Sequence, residues 1–212
     1  MPEVLKIDPR NPDELIIARA VEILSEGGVI AYPTETFYGL GADGENEEAI
    51  KKIFLIKERD QTNPIPLIIG DESRLKHLVA DIPGSAHALM KNFWPGPLTL
   101  VFRTSQNVSP LLTAGTGKIG IRISSHPIAT LLAKGLSRAL TATSANISDA
   151  EECTTAEEVL HHLGKRIAAV IDGGKTPGGT GSTILDITET PPVILRKGAV
   201  SVSKIKNTLK KI

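Results

Sequence analysis

The chain has 212 residues, 41% hydrophobic and 23% charged, with 24 basic residues against 24 acidic ones. That size and composition fit a globular domain able to bury a real core, and the zero formal charge excludes nucleic-acid binding driven by overall charge while leaving room for a local basic cleft. A single cysteine, Cys153, excludes an intramolecular disulfide framework and a cysteine-based zinc site, and is expected to be a buried or half-buried thiol.

Met1-Pro2-Glu3-Val4 carries no basic region followed by an apolar run, so no signal peptide is expected. No apolar stretch approaches the ~20 residues needed to cross a bilayer, and the expected location is cytoplasmic with no membrane contact. Asn11-Pro12-Asp13-Glu14 predicts a helix start, with a cap, an early proline and acids near the positive end of the dipole. The helix runs through Ile17, Val21 and Leu24 until Gly27-Gly28 stops it. Val29-Ile30-Ala31-Tyr32 predicts a short buried strand, and Tyr32 through Gly41 a polar, aromatic and glycine-rich turn after it. Asn46 caps a second helix whose inward stripe is Ile50, Ile53 and Phe54.

Further strands are expected at 66–69, 98–102, 119–123, 140–143, 168–171, 183–187 and 193–195, and helices at 72–79, 85–93, 126–134, 155–163 and 202–209. Strands and helices mixed at uneven spacing predict an α/β fold whose sheet need not be all parallel. The chain reads as one domain over 1–212. The run Gly173-Gly174-Lys175-Thr176-Pro177-Gly178-Gly179-Thr180-Gly181 is a loop, either a close backbone approach to a ligand or a surface connection.

Three motif-like features fail on physical grounds. Gly39-Leu40-Gly41-Ala42-Asp43-Gly44 has dinucleotide-fingerprint spacing, but its glycines do not follow immediately on the strand as a pyrophosphate turn requires. Gly174-Lys175-Thr176 imitates the end of a phosphate loop, yet the first glycine of that motif falls on Ala169. His77, His87, His126, His161 and His162 lack the spacing of a zinc helix, so no protein-held metal is expected.

Two short signatures remain. Lys57 and Arg59 stand two apart, which on an extended backbone points both cations to one side; Ser144 and Asn146 share that spacing. Together they compose a site for a polyanion such as a nucleoside triphosphate. The alternative is a pair of solvated charges at the end of the Phe54-Leu55-Ile56 helix, and a strand-end turn at Ser144-Ala145-Asn146.

Lys57-Glu58-Arg59, Pro33-Thr34-Glu35-Thr36, Ser144-Ala145-Asn146, Ser182-Thr183-Ile184-Leu185-Asp186 and Ile194-Leu195-Arg196-Lys197-Gly198-Ala199 stand in an order that resembles the threonylcarbamoyl-AMP synthases, the YrdC-like family, over residues 10–200. The resemblance implies a twisted mixed parallel/antiparallel sheet with helices packed on its convex side and a concave substrate-binding face. It implies condensation of L-threonine, bicarbonate and ATP into threonylcarbamoyl-AMP and pyrophosphate, the donor for modifying adenosine 37 of certain transfer RNAs. Lys57 and Arg59 would be catalytic. Arg59, Asn63, Lys118, Ser144, Asn146 and Arg196 would meet ATP, with Lys118 acting through its backbone. Thr36, Arg122, Ala142 and Ser182 would meet threonine, Arg122 by gripping its carboxylate, while Thr34 and Tyr38 shape the same turn.

Magnesium would come with ATP, held mainly by phosphates and water. Partners would be the downstream threonylcarbamoyl-transferase machinery, with direct tRNA or RNA contact as a further one. The chain departs from the family pattern at Ile68, where a histidine near the threonine is common, and at Glu152, where a serine meets ATP; Glu152 is therefore left out of the expected site. Longer members add a second domain, and a chain ending at Ile212 is expected to be the single-domain form. Two other readings stay open: a carbamoyl-adenylate-forming enzyme that uses carbamoyl phosphate, and a non-catalytic RNA-binding module.

Overall fold

The computed structural model describes residues 1–210. It begins with β1 (Glu3–Lys6), α1 (Glu14–Ser25), the strands β2 (Ile30–Pro33) and β3 (Tyr38–Gly41), α2 (Glu47–Lys57) and β4 (Leu67–Ile68). Next come α3 (Leu75–Leu78), α4 (Gly84–Phe93), β5 (Leu98–Arg103), α5 (Pro110–Thr113), β6 (Lys118–Arg122) and α6 (Pro127–Leu136). The last part holds β7 (Leu140–Thr141), β8 (Thr143–Ser144), α7 (Ala156–Leu163), β9 (Ala169–Asp172), β10 (Thr183–Asp186), β11 (Val193–Arg196) and α8 (Val202–Leu209).

Local chemistry accounts for most of these boundaries. Asp13, rather than Asn11, caps α1 by accepting from the Leu15 N–H, so Pro12 lies outside the helix. Gly27, at φ +78°, turns the chain away after it. The Asn46 side chain accepts from the N–H groups of Glu48 and Ala49, as its position before α2 predicts. Thr155 and Glu158 form a reciprocal capping box at the start of α7. The run read from sequence as a turn after β2 is instead a hairpin, with β3 antiparallel to β2. Its glycines are required by packing: a Cβ would lie 3.0 Å from the Tyr32 ring at Gly39 and 2.7 Å from it at Gly41.

The α/β architecture is mixed, as expected, but its hydrogen bonds form two ladders rather than one sheet. One runs β1-β9-β2-β3-β8, parallel across β1, β9 and β2 and antiparallel beyond. The other runs β11-β10-β5-β6-β4-β7 and is also mixed. The predicted strand 140–143 is where the chain changes ladder, because Ala142 separates β7 in one sheet from β8 in the other.

Two apolar cores pack against these ladders. The larger takes Ile50, Ile53 and Phe54 of α2 with Leu67, Leu100 and Ile121, and the smaller takes Leu24 of α1, Leu132 of α6, Tyr32 and Ile68. Neighbouring residues of β4 thus enter opposite cores, as strand alternation requires. Each such fully buried aliphatic side chain contributes about 1.5–3 kcal/mol. Among the described residues no helix is long and apolar enough to cross a membrane.

Candidate active site

A cavity opens where the two ladders meet. Its wall takes Tyr32, Tyr38, Gly39 and Ser144 from the five-stranded sheet, and Thr99, Arg122, Ile184 and Arg196 from the six-stranded one. The turn Thr34–Phe37, the Arg59–Pro66 segment and Gly181-Ser182 supply further lining residues. Of the residues expected to bind ATP or threonine, Thr36, Arg59, Arg122, Ala142, Ser144, Ser182 and Arg196 are brought together here from segments far apart in sequence.

The turn between β2 and β3 is built from hydroxyls. Thr34 Oγ1 donates to the Phe37 carbonyl at 2.7 Å, accepts from the Thr36 N–H at 3.1 Å and lies 3.1 Å from Thr36 Oγ1. The buried Tyr38 hydroxyl donates to the Gly174 carbonyl at 2.8 Å, and the Gly178 N–H donates to the Thr36 carbonyl at 2.8 Å. Burial and the nearby Asp172 push the Tyr38 phenol pKa up, which keeps it a donor. The glycine-rich loop is therefore fastened to the hydroxyl turn, and Gly181 at its end reaches the cavity wall.

Lys57 and Arg59 do not lie side by side on an extended strand. Lys57 is the last residue of α2, and Glu58, left-handed at φ 53°, stands between it and Arg59. The Lys57 ammonium is buried beneath the Ser144-Ala145-Asn146 turn. It donates to the Ser144 carbonyl at 2.6 Å, the Asn146 carbonyl at 2.7 Å and Asn146 Oδ1 at 3.0 Å. Burial, and then the neighbouring Arg59, lower its pKa to about 8. Lys57 does not line the cavity, so the geometry gives it the task of shaping the turn. Arg59 does line it, with Nη1 on Thr143 Oγ1 at 2.9 Å and Nη2 on the Pro64 carbonyl at 3.0 Å.

Ser144 faces the cavity, whereas Asn146 is buried behind it. Asn146 Oδ1 accepts from Ser144 Oγ at 2.7 Å and its Nδ2 donates to the Ala150 carbonyl at 2.6 Å. Asn63 is exposed on the loop after Arg59, outside the cavity wall. Lys118 begins β6, the strand that Arg122 ends, and neither its backbone nor its side chain lines the cavity. Its ammonium is committed to Asp186 at 2.9 Å and Glu189 at 2.7 Å.

From β11, Arg196 grips Ser182. Nε and Nη2 donate to the Ser182 carbonyl at 3.1 and 2.9 Å, and Nη2 also donates to Ser182 Oγ at 3.0 Å. Ser182 Oγ lies 3.0 Å from Thr99 Oγ1, a cavity residue that sequence reasoning did not single out. Gly198 is needed close by, because a Cβ there would stand 2.4 Å from the backbone of Gly181 through Thr183.

Arg122 ends β6 and is 7% exposed. Its Nη1 donates to Glu35 Oε1, and Glu35 Oε2 accepts from Ser124 Oγ. Glu35, within Pro33-Thr34-Glu35-Thr36, is a residue of this site that the sequence does not single out; its one signal is a carboxylate in the turn after one buried strand with an arginine on another.

The fold places both departures from the family pattern. Ile68 is fully buried in the smaller core beside Tyr32 and does not face the cavity, whereas Pro66, two residues earlier, does. The missing histidine donor at 68 therefore leaves no gap in this wall. Glu152, excluded from the expected site, is part of the wall. Neither decoy motif sits as its namesake would: Gly39 and Gly41 are strand residues, and the 173–181 loop leads into β10 rather than a helix.

The Sua5/YciO/YrdC family model, described as telomere recombination, matches residues 22–198. The threonylcarbamoyl-AMP synthase of Bacillus subtilis (strain 168) is 42% identical over 200 residues, covering 94% of this chain and 58% of that protein. The crystal structure of P. abyssi Sua5 complexed with L-threonine is similar at a TM-score of 0.95 and 38% identity, over 99% of this chain and 61% of that one. That of E. coli YciO gives a TM-score of 0.88 at 32% identity, over 97% of this chain and 100% of that one. The chain thus spans less than two thirds of the first two proteins and the full length of the third. By the extent of the family match and the 42% identity to a curated relative, the chain belongs to the Sua5/YciO/YrdC family.

Proposed function

We propose that this chain is a threonylcarbamoyl-AMP synthase, a nucleotidyltransferase that condenses L-threonine, bicarbonate and ATP. The observation that carries the reading is the convergence of Arg59, Arg122 and Arg196 on one cavity whose remaining polar wall is mostly hydroxyls. The close structural likeness to a Sua5 that holds L-threonine supports it. Threonine's amine condenses with bicarbonate, forming an N–C bond and releasing water. An oxygen of the resulting carbamate then attacks the α-phosphorus of ATP, and the electron pair of the breaking P–O bond leaves with pyrophosphate.

Neither step needs a protein nucleophile, so catalysis rests on positioning and charge stabilisation. Arg122 takes the threonine carboxylate beside Thr36, Ala142 and Ser182. Arg59 and Arg196, with Ser144, take phosphate and nucleotide oxygens as charge moves toward the leaving group. Lys57 and Asn146 support Ser144 from behind. Asn63 and Lys118, which lie outside the wall, act only if their segments move toward bound ATP.

Magnesium enters with the triphosphate, coordinated mainly by phosphate oxygens and water. Among the described residues no group of three His, Cys, Asp or Glu side chains stands together as a protein cage would need, and Glu152 offers one carboxylate at the wall. The product is the donor for threonylcarbamoylation of adenosine 37 in tRNA by a downstream transferase, with RNA contact at the basic cavity rim as a second interaction. Residues 10–200 act as one catalytic unit in the cytoplasm. Pyrophosphate release, measured with threonine, bicarbonate and ATP omitted in turn, tests the reading. Release that needs all three supports it, and release indifferent to threonine overturns it.

A further inference from the structure

We infer that Glu35 is a positioning residue that decides which edge of the Arg122 guanidinium receives the substrate carboxylate, an inference that rests on the threonine-activating reading above. A guanidinium offers two forks of paired N–H donors, one end-on through Nη1 and Nη2 and one side-on through Nε and Nη2. Glu35 Oε1 accepts from Nη1 and sets a negative charge at that nitrogen, which repels a second carboxylate from the end-on fork. Among the described residues Nε and Nη2 of Arg122 have no hydrogen-bond partner and are not fully buried, on a side chain that lines the cavity. What is left is a side-on fork, which matches the two oxygens of a carboxylate.

The carboxylate that sets this geometry is itself fixed. Glu35 Oε2 accepts from Ser124 Oγ, and Ser124 Oγ accepts at 3.1 Å from the His126 N–H at the start of α6. Ser124 is fully buried. The Thr34 hydroxyl bonds described above hold the turn that carries Glu35. Thr34 and Thr36 face the cavity on either side of Glu35, while Glu35 does not. The pair Glu35–Arg122 is thus anchored on its far side and open on its near side. A carboxylate that only neutralised a buried arginine would need neither the second anchor nor the one-sided attachment.

The test is a double-mutant cycle read by steady-state pyrophosphate release, with threonine and ATP varied separately, on the wild type, E35A, E35Q, R122A and E35A/R122A, alongside thermal unfolding. E35A is expected to raise KM for threonine by about ten-fold or more, with KM for ATP within about two-fold. E35Q, which keeps an acceptor for Nη1 and the same size, gives a smaller rise and reports on the inference if E35A does not fold. The double variant is expected to match R122A alone, because Glu35 acts only through Arg122. Additive losses, equal rises in both KM values, or a lowered Tm with an unchanged threonine KM would each overturn the inference and leave the enzyme reading intact. A wild type that releases no pyrophosphate would overturn both.

Discussion

Replacing Lys57 with methionine separates a supporting role from a direct one. The ammonium satisfies three acceptors of the 144–146 turn at 2.6, 2.7 and 3.0 Å, and methionine fills similar space without a donor. Leaving one buried acceptor unpaired costs about 1–3 kcal/mol, but the losses are not additive, and burying the lysine charge carries its own cost that the substitution relieves. A net loss of about 2–4 kcal/mol is therefore expected. For a chain of this size each kcal/mol lowers Tm by about 2–4 °C, so K57M should melt visibly earlier in a calorimetric or circular-dichroism scan. Because Ser144 loses its support at the cavity, turnover should fall about 10- to 150-fold in the same protein below its Tm. An unchanged Tm with lost turnover would refute this reasoning and return Lys57 to direct contact with substrate. An unchanged Tm with full turnover would deny it any role.

Arg59, which lines the cavity through a guanidinium held by Thr143 and Pro64, should behave differently: R59A loses about 10- to 150-fold in turnover with Tm nearly unchanged, and full pyrophosphate release from R59A would contradict its role. R122A should chiefly raise KM for threonine while leaving KM for ATP alone, and an unaltered threonine dependence would remove Arg122 from the amino-acid side. Folding lowers the Lys57 pKa from 10.5 to about 8, so between those values the unfolded chain binds more protons and the stability contribution of this group rises with pH. Turnover should move the other way over the same interval, falling as pH passes about 8, because neutral lysine has one donor fewer for the turn. A pH–rate profile flat to pH ~10 would contradict that coupling.

Much of the architecture is legible because it follows local chemistry. Asn46 before acids and an Ile50, Ile53, Phe54 stripe fixes α2 at both the cap and the core, and the ordered motifs carry Thr36, Arg59, Ser144, Ser182 and Arg196, which line one cavity. What escapes sequence reading depends on tertiary geometry. Gly39 and Gly41 read as turn residues, yet they are strand positions made necessary by the ring of Tyr32. Glu58 adopts a left-handed backbone without being glycine, so nothing local signals that Lys57 turns inward while Arg59 turns to the cavity. The segment 140–144 is one extended run whose change of ladder at Ala142 is decided by which neighbours accept its hydrogen bonds. A two-residue periodicity explains Ile68: its strand alternates, so the core takes Ile68 on one side and Leu67 on the other, while Pro66 borders the cavity. Glu35 required its partner to be known, since Arg122 lies far along the chain and only folding brings the pair together.

The most direct measurement is mass spectrometry of the nucleotide product formed from ATP, L-threonine and carbon-13 bicarbonate by the purified chain. A threonylcarbamoyl adenylate carrying one heavy carbon is the expected product, and R122A should lose it unless threonine is greatly raised. An adenylate without threonine or without the labelled carbon, or no adenylate at all from a folded protein, would contradict the assignment of this cavity to threonine, bicarbonate and ATP.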